Sequence, residues 1–205
     1  MRRHARRILL GCLSGLFAGT ASAIFLHLLD AATKYRDSHP AIIWALPLIG
    51  LLIGWCYYRY GESVAKGNNL VLDEIHDPKK TVPFRMVPFI LFGTVFTHLF
   101  GGSAGREGTA VQMGASLSDQ IAKAFNLSSE ERKVMLICGS GAGFGAAIGA
   151  PWAGVVFGME VLYVGKFRFF GGIESLFASF VGYYTSILLQ APHSFFPRFL
   201  LPQFS

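Results

Sequence analysis

Charge is scarce in this sequence. Only 15% of its 205 residues are Asp, Glu, Lys or Arg, against about 25% in a soluble domain. A soluble fold of this length could not cover its surface with so few. Cysteine is nearly absent too. Cys12, Cys56 and Cys138 are odd in number and scattered, with no CxxC, which excludes a disulfide framework and a thiolate zinc site. The six histidines are dispersed, with no HExxH and no i, i+4 pair, so the chain is expected to hold no metal and no cofactor. There is no internal tandem repeat. Disorder is excluded, because a disordered chain is poor in apolar residues and rich in charge.

What is present is apolar. Hydrophobic residues make up 52%, with 24 Gly and 19 Phe, and the mean hydropathy is +0.45. These numbers define an integral membrane protein. The net charge of +6 does not point to nucleic acid, because the basic residues form no phosphate-tracking stripe. They sit at Arg2/Arg3/Arg6/Arg7, Arg59/Lys66, Lys79/Lys80/Arg85 and Lys166/Arg168. Each cluster flanks an apolar segment, as cytoplasmic loops do, so the N-terminus is expected to be cytoplasmic. The start imitates a signal peptide, but the apolar stretch from Ile8 to Leu29 is too long for one and fits a first span.

The hydrophobic pattern predicts a helix over Ile8–Ala32, with small residues Gly11, Ser14, Gly15, Ala18 and Ala21 on one side for close helix packing. A polar loop is expected over Asp30–Pro40, then a second span over Ala41–Tyr60. Lys66–His76 is too short and polar to cross; it reads as a Gly-Asn-Asn turn and a short helix. A third span is expected over Phe84–Phe100, followed by a Gly-rich entry to a helix from about Glu107. Ser128 or Ser129 caps the next helix, which has Glu130 and Glu131 in its first turn. That helix runs through Cys138 into GSGAGFGAAIGAP. Helices over Pro151 to about Val164 and Gly171–Leu189 follow, then an aromatic tail over Ala191–Ser205.

Short, Gly- or Pro-interrupted helices are tolerated in a bilayer only where their free backbone groups line a cavity or are buried in protein. In transporters such half-helix N-termini point at anions. Three junctions open helices here: Gly67-Asn68-Asn69, Gly105-Arg106-Glu107-Gly108-Thr109, and the 139–150 stretch before Pro151. Each N-terminus offers about four unpaired N–H groups and roughly +0.5 of an elementary charge. Such weak donors bind an anion and also release it.

Glu107 is the sharpest single residue, since an ionisable carboxylate in an apolar stretch is a functional hypothesis by default. At the first turn of a helix it would compete with an anion for the same N–H groups, and when protonated it could swing away. Arg106 beside it is expected to pair or position. Glu160, in GVVFGMEVLYVG, is either a proton relay or a structural acid. Glu174 reads as a cap-region acid. Gly141-x-Gly143-x-x-Ala146 imitates a dinucleotide fingerprint, but that motif demands a strand before it, and the preceding pattern is helical.

GSAGREGTAVQMG (Gly102–Gly114) resembles the GxGREGPxxxxG signature of the CLC family of chloride channels and proton-coupled anion exchangers. GAAIGAPWAGVVFGMEV (Gly145–Val161) resembles that family's next conserved stretch, in the right order and spacing. The resemblance implies an all-α integral membrane fold of tilted, broken helices, with Glu107 as the gating glutamate. It also implies an anion held near Gly67, Asn68, Asn69, Gly105, Arg106, Gly108 and Thr109. Asn68 stands where the family's chloride-coordinating serine lies, and Thr109 replaces the proline of GREGP. Val161 takes the place of the internal proton-exchanging glutamate, and Glu160 matches the more general acid before it. The missing serine and the GREGT motif resemble the bacterial fluoride/proton antiporter branch.

The resemblance covers residues 1–205 with only the first of the family's two inverted halves. The second half's GxFxP-type loop and coordinating tyrosine are missing, so half a pore is expected: a fragment, or a chain that pairs with a second polypeptide. The implied partners are fluoride or chloride, protons and the bilayer of a bacterial plasma membrane, with a homodimer once the second half is supplied. The alternatives are a chloride channel or chloride/proton antiporter of the same family, and an inactive structural membrane subunit.

Overall fold

The computed structural model describes residues 2–160 and 171–193. Among the described residues, eight α-helices follow one another: α1 (Arg2–Ser38), α2 (Leu46–Tyr60), α3 (Asn68–His76), α4 (Met86–Leu99), α5 (Arg106–Ala124), α6 (Ser129–Ile148), α7 (Pro151–Glu160) and α8 (Gly172–Leu188). Short 3-10 turns, Pro40–Ala45 and Glu62–Val64, precede α2 and α3. No strand occurs among the described residues, which removes the strand that a dinucleotide motif would need. Gly141 and Gly143 lie inside α6.

α1 corrects the expected first span at both ends. Its 37 residues extend about 55 Å, well beyond a hydrocarbon core of about 30 Å. The polar stretch Asp30–Ser38 is its last turns rather than a loop. Lys34 donates to Asp30 at 2.7 Å and the Ser38 hydroxyl to the Lys34 carbonyl at 3.0 Å, so this end satisfies its own polar groups. α1 and the Pro40–Tyr60 segment are long and apolar enough to cross a membrane. α2 has no buried residue, and Leu48, Leu51 and Leu52 stand exposed along it. α4 is shorter than the expected third span.

α6 forms the centre, buried without interruption from Val134 to Gly143, with α1, α5, α7 and α8 around it. Glycine allows these crossings. A Cβ at Gly114 of α5 would collide with the Gly139 carbonyl of α6. One at Gly15 or Gly19 of α1 would collide with the backbone of Ala178 or Gly182 in α8. The small-residue face expected on α1 is therefore its contact surface, with Gly19 added. α6 begins with a complete capping box. Glu131 N–H donates to Ser128 Oγ (3.4 Å), while Ser128 N–H donates to Glu131 Oε2 (3.2 Å). The helix ends at Gly149 with φ +78°, a left-handed cap that glycine adopts without strain.

Candidate functional site

α3 starts where the sequence places its turn. Gly67 has φ +57° and ψ −128°, a conformation open to glycine and strained for any side chain. It reverses the chain so that Asn68 becomes the first residue of α3. α5 starts after an extended Gly105 (φ −69°, ψ 121°) with Arg106, and Glu107 falls in its first turn. Both helix N-termini reach one cavity of about 480 Å³.

Three helices line that cavity with residues at helical spacing. α3 contributes Asn68, Val71 and Leu72; α5 contributes Glu107, Gly108 and Val111; α7 contributes Phe157 and Glu160. Phe144 of α6 completes the wall, stacked on Phe157 with ring centroids 4.6 Å apart. The Asn68 carboxamide rests against Gly108, where a Cβ would stand 3.0 Å from Nδ2. Polar groups are few and the walls are apolar, so donors at the helix ends act in a lower dielectric than water. Two carboxyl groups, Glu107 and Glu160, share the space; Glu107 and Asn68 are exposed and Glu160 is half-buried.

The structure brings together some of the expected site residues and parts others. Asn68, Glu107, Gly108 and Glu160 converge on the cavity. Thr109 is turned away and buried. Its hydroxyl donates to the Gly105 carbonyl (2.9 Å) and lies 2.8 Å from Thr94 Oγ1 of α4, which ties the start of α5 to its neighbour. Gly67 sits against the Gln112 side chain, Gly105 faces open space, and Asn69 is exposed outside the cavity lining. Arg106 lines a separate cavity of about 430 Å³ with Arg36 and His98. The third junction departs from expectation. Its glycines pack inside α6, and α7 presents its C-terminal end, not its N-terminus, to the cavity. At the Pro151 end, the Pro151 carbonyl accepts a hydrogen bond from Ser179 Oγ (2.7 Å). Val161, Lys166 and Arg168 lie outside the described residues, as does the end of the aromatic tail. Glu174 falls in the first turn of α8 and is buried.

Sequence reasoning passed over a buried ionic cluster. Arg132 of α6 bridges Asp119 of α5 (Nε to Oδ1, 2.6 Å; Nη2 to Oδ2, 2.8 Å) and Glu74 of α3 (Nη1 to Oε2, 3.0 Å). Its Nη2 also donates to the Lys80 carbonyl. Asp119 accepts from Val82 N–H (2.6 Å), and Glu74 accepts from Lys79 N–H (2.9 Å) and Lys80 N–H (3.0 Å). A signal was there. Asp119 and Arg132 flank the short α5–α6 turn at similar distances, so an antiparallel helix pair brings them level.

Comparison with known proteins agrees with this architecture. Residues 49–202 match the family described as voltage gated chloride channel. The chain belongs to that family, and its fold is an all-helical integral membrane fold. It is 53% identical over 165 residues to the "Chloride/fluoride channel protein" of Pseudomonas syringae pv. tomato, covering 80% of this chain and 36% of that one. It is 36% identical over 155 residues to the "H(+)/Cl(-) exchange transporter ClcA" of Yersinia pestis, covering 72% of this chain and 32% of that one. Among solved structures it is similar to a CLC-type fluoride/proton antiporter, at TM-score 0.88 and 34% identity over 95% of this chain and 50% of that one. The chain thus spans about a third to a half of the length of these relatives.

Proposed function

We propose that this chain is the first inverted half of a CLC-type transporter that exports fluoride in exchange for protons across the plasma membrane, its N-terminus cytoplasmic. The convergence of the α3 and α5 N-termini on one cavity, with Asn68, Glu107 and Gly108 on its wall, carries this reading. The anion binds N–H donors at the start of α5, beside an α3 N-terminus whose Asn69 and Leu70 N–H groups already donate to the Lys66 and Gly67 carbonyls (3.1 Å each). Partial positive charge at both helix ends holds it without trapping it. The Asn68 carboxamide donates a further hydrogen bond, suited to a small anion that accepts strongly. Glu107 occupies the same donors when ionised; on taking a proton it leaves them, and the anion enters. Glu160 exchanges protons with Glu107 across the cavity. Inverted repeats hold their site at the repeat interface, so the open side of this cavity takes the complementary half. The completed unit is a homodimer.

The test is anion flux into liposomes carrying the complete assembly, wild type beside Glu107→Gln. The wild type is expected to accumulate fluoride as protons leave down an outward gradient, and the variant to lose proton coupling. Unchanged, proton-coupled flux in the variant rejects the gating role. Chloride is the second reading, favoured by the likeness to the Yersinia exchanger. Fluoride–chloride competition in Asn68→Ser separates the two: an unchanged preference rejects Asn68 as selector. A wild type that moves neither anion marks a structural subunit.

A further inference from the structure

The Arg132 cluster lies away from the cavity, yet it holds the element that carries Asn68. α3 has only nine residues, too short to be stable as an isolated helix. Its position is therefore set by what it is tied to. Val71 and Ile75 pack it apolarly into the core beside Ala115, Leu136 and Ile137. Glu74 supplies the directional tie, to Arg132 and to the backbone of Lys79 and Lys80. Asn68 and Glu74 are six residues apart, about 9 Å along the helix axis. One end of a short rigid rod is clamped, and the other presents the carboxamide to the cavity.

The clamp is built for geometry. Arg132 meets both oxygens of Asp119 with its planar fork and reaches Glu74 with the remaining nitrogen. The Asp119 side chain is fully buried and those of Glu74 and Arg132 are 8% and 14% exposed. Buried ion pairs gain little net stability over apolar packing, because desolvation offsets the attraction. Their geometric demands are strict, however, and lysine, a point charge, cannot reproduce a two-carboxylate fork. Asp119 belongs to α5, the helix that carries Glu107. The guanidinium therefore fixes α3 and α5 against each other, and with them the two halves of the cavity wall.

We propose that Arg132 is a positioning residue that sets the anion preference of the cavity by holding Asn68 in register with Glu107 and Gly108. This rests on the anion-transport reading above. Arg132 touches no anion; it acts through Glu74 and α3.

The experiment measures fluoride and chloride flux in liposomes containing the complete assembly. Wild type, Arg132→Lys, Asn68→Ser and the double variant are compared, with thermal unfolding as a folding control. Arg132→Lys is expected to fold and to move anions with its fluoride-over-chloride preference reduced about tenfold, within the range of coupling between contacting elements. The double variant is expected to be no less selective than Asn68→Ser alone, because both changes act through one side chain. A wild-type preference in Arg132→Lys, or losses that add in the double variant, overturns the proposal. A readout independent of transport is the distance between spin labels at the exposed positions 69 and 105, with Cys12 and Cys56 replaced. The distribution broadens in Arg132→Lys if Arg132 holds α3 in register, and an unchanged distribution overturns the proposal. If the wild type moves neither anion, the transport reading fails, and the label distances alone decide whether Arg132 holds α3 in place.

Discussion

The side chain of Asn68 rests on the backbone of Gly108, so that a Cβ at position 108 would stand 3.0 Å from Asn68 Nδ2. The two residues open different helices, α3 and α5, and this contact is where the two N-termini meet at the cavity. Gly108→Ala is therefore expected to push the carboxamide aside while leaving α5 intact, since Ala is favoured over Gly in a helix by about 0.5–1 kcal/mol. On the proposed transport reading, fluoride flux of the complete assembly should fall about tenfold or more, because a misplacement of about 1 Å at a reacting or binding group can cost about a hundredfold. Flux and thermal unfolding measured on one preparation check this. Wild-type flux would show that the contact is incidental.

The start of α5 is held by Thr94. Its hydroxyl lies 2.8 Å from that of Thr109, and both threonines are buried. Thr94→Val keeps the shape and removes the bond, leaving Thr109 with the Gly105 carbonyl. The expected loss of stability is about 1 kcal/mol, read as a lowered midpoint in thermal unfolding in detergent.

The α5–α6 crossing depends on the missing side chains of Gly114 and Gly139. A methyl group at 114 would meet the Gly139 carbonyl and stand 3.3 Å from Ala18 Cβ. Both neighbours belong to packed helices and have little room to yield. Gly114→Val is expected to cost about 3 kcal/mol or more, at the upper end for overpacked cores. Near-wild-type unfolding of the purified variant would contradict this packing.

The capping box of α6 gives a pH signature. The Ser128 backbone N–H and hydroxyl donate to Glu131 and hold its carboxyl below the usual carboxylate range. A lowered pKa means that the stabilisation is fully present above the unfolded value of about 4.3. It fades as pH falls through the folded value. Ser128→Ala should therefore cost about 1 kcal/mol at neutral pH, and its gap to wild type should narrow below about pH 4. Unfolding curves at pH 7 and at pH 3.5 test this, and a gap independent of pH argues against the box.

Much of the fold around the candidate site was readable because its signals are local. The Gly-Asn-Asn turn before α3, the Gly-rich entry to Glu107 and the Ser128–Glu131 box each act within a few residues. The Arg132 cluster was not, because Glu74, Asp119 and Arg132 come from three helices and only their packing makes one group of them. The third Gly-rich junction misled for the opposite reason. Residues 139–150 hold five glycines, as a loop would, yet all five lie inside α6 or at its cap, where close neighbours require their small size.

The sparse charge and apolar bulk of the sequence determined a membrane-embedded, all-helical chain, and the spacing of its breaks determined where the half-helices begin. Both follow from a bilayer that admits only backbones bonded within themselves or facing a cavity. The tertiary structure alone decided which of those helix ends meet. It turned Asn68 and Glu107 into one cavity, sent Thr109 to α4 and Arg106 to another cavity, and presented α7 by its C-terminal end. Sequence fixes each helix's own periodicity, but the rotation of one helix against another depends on how glycine faces and buried ion pairs fit between them.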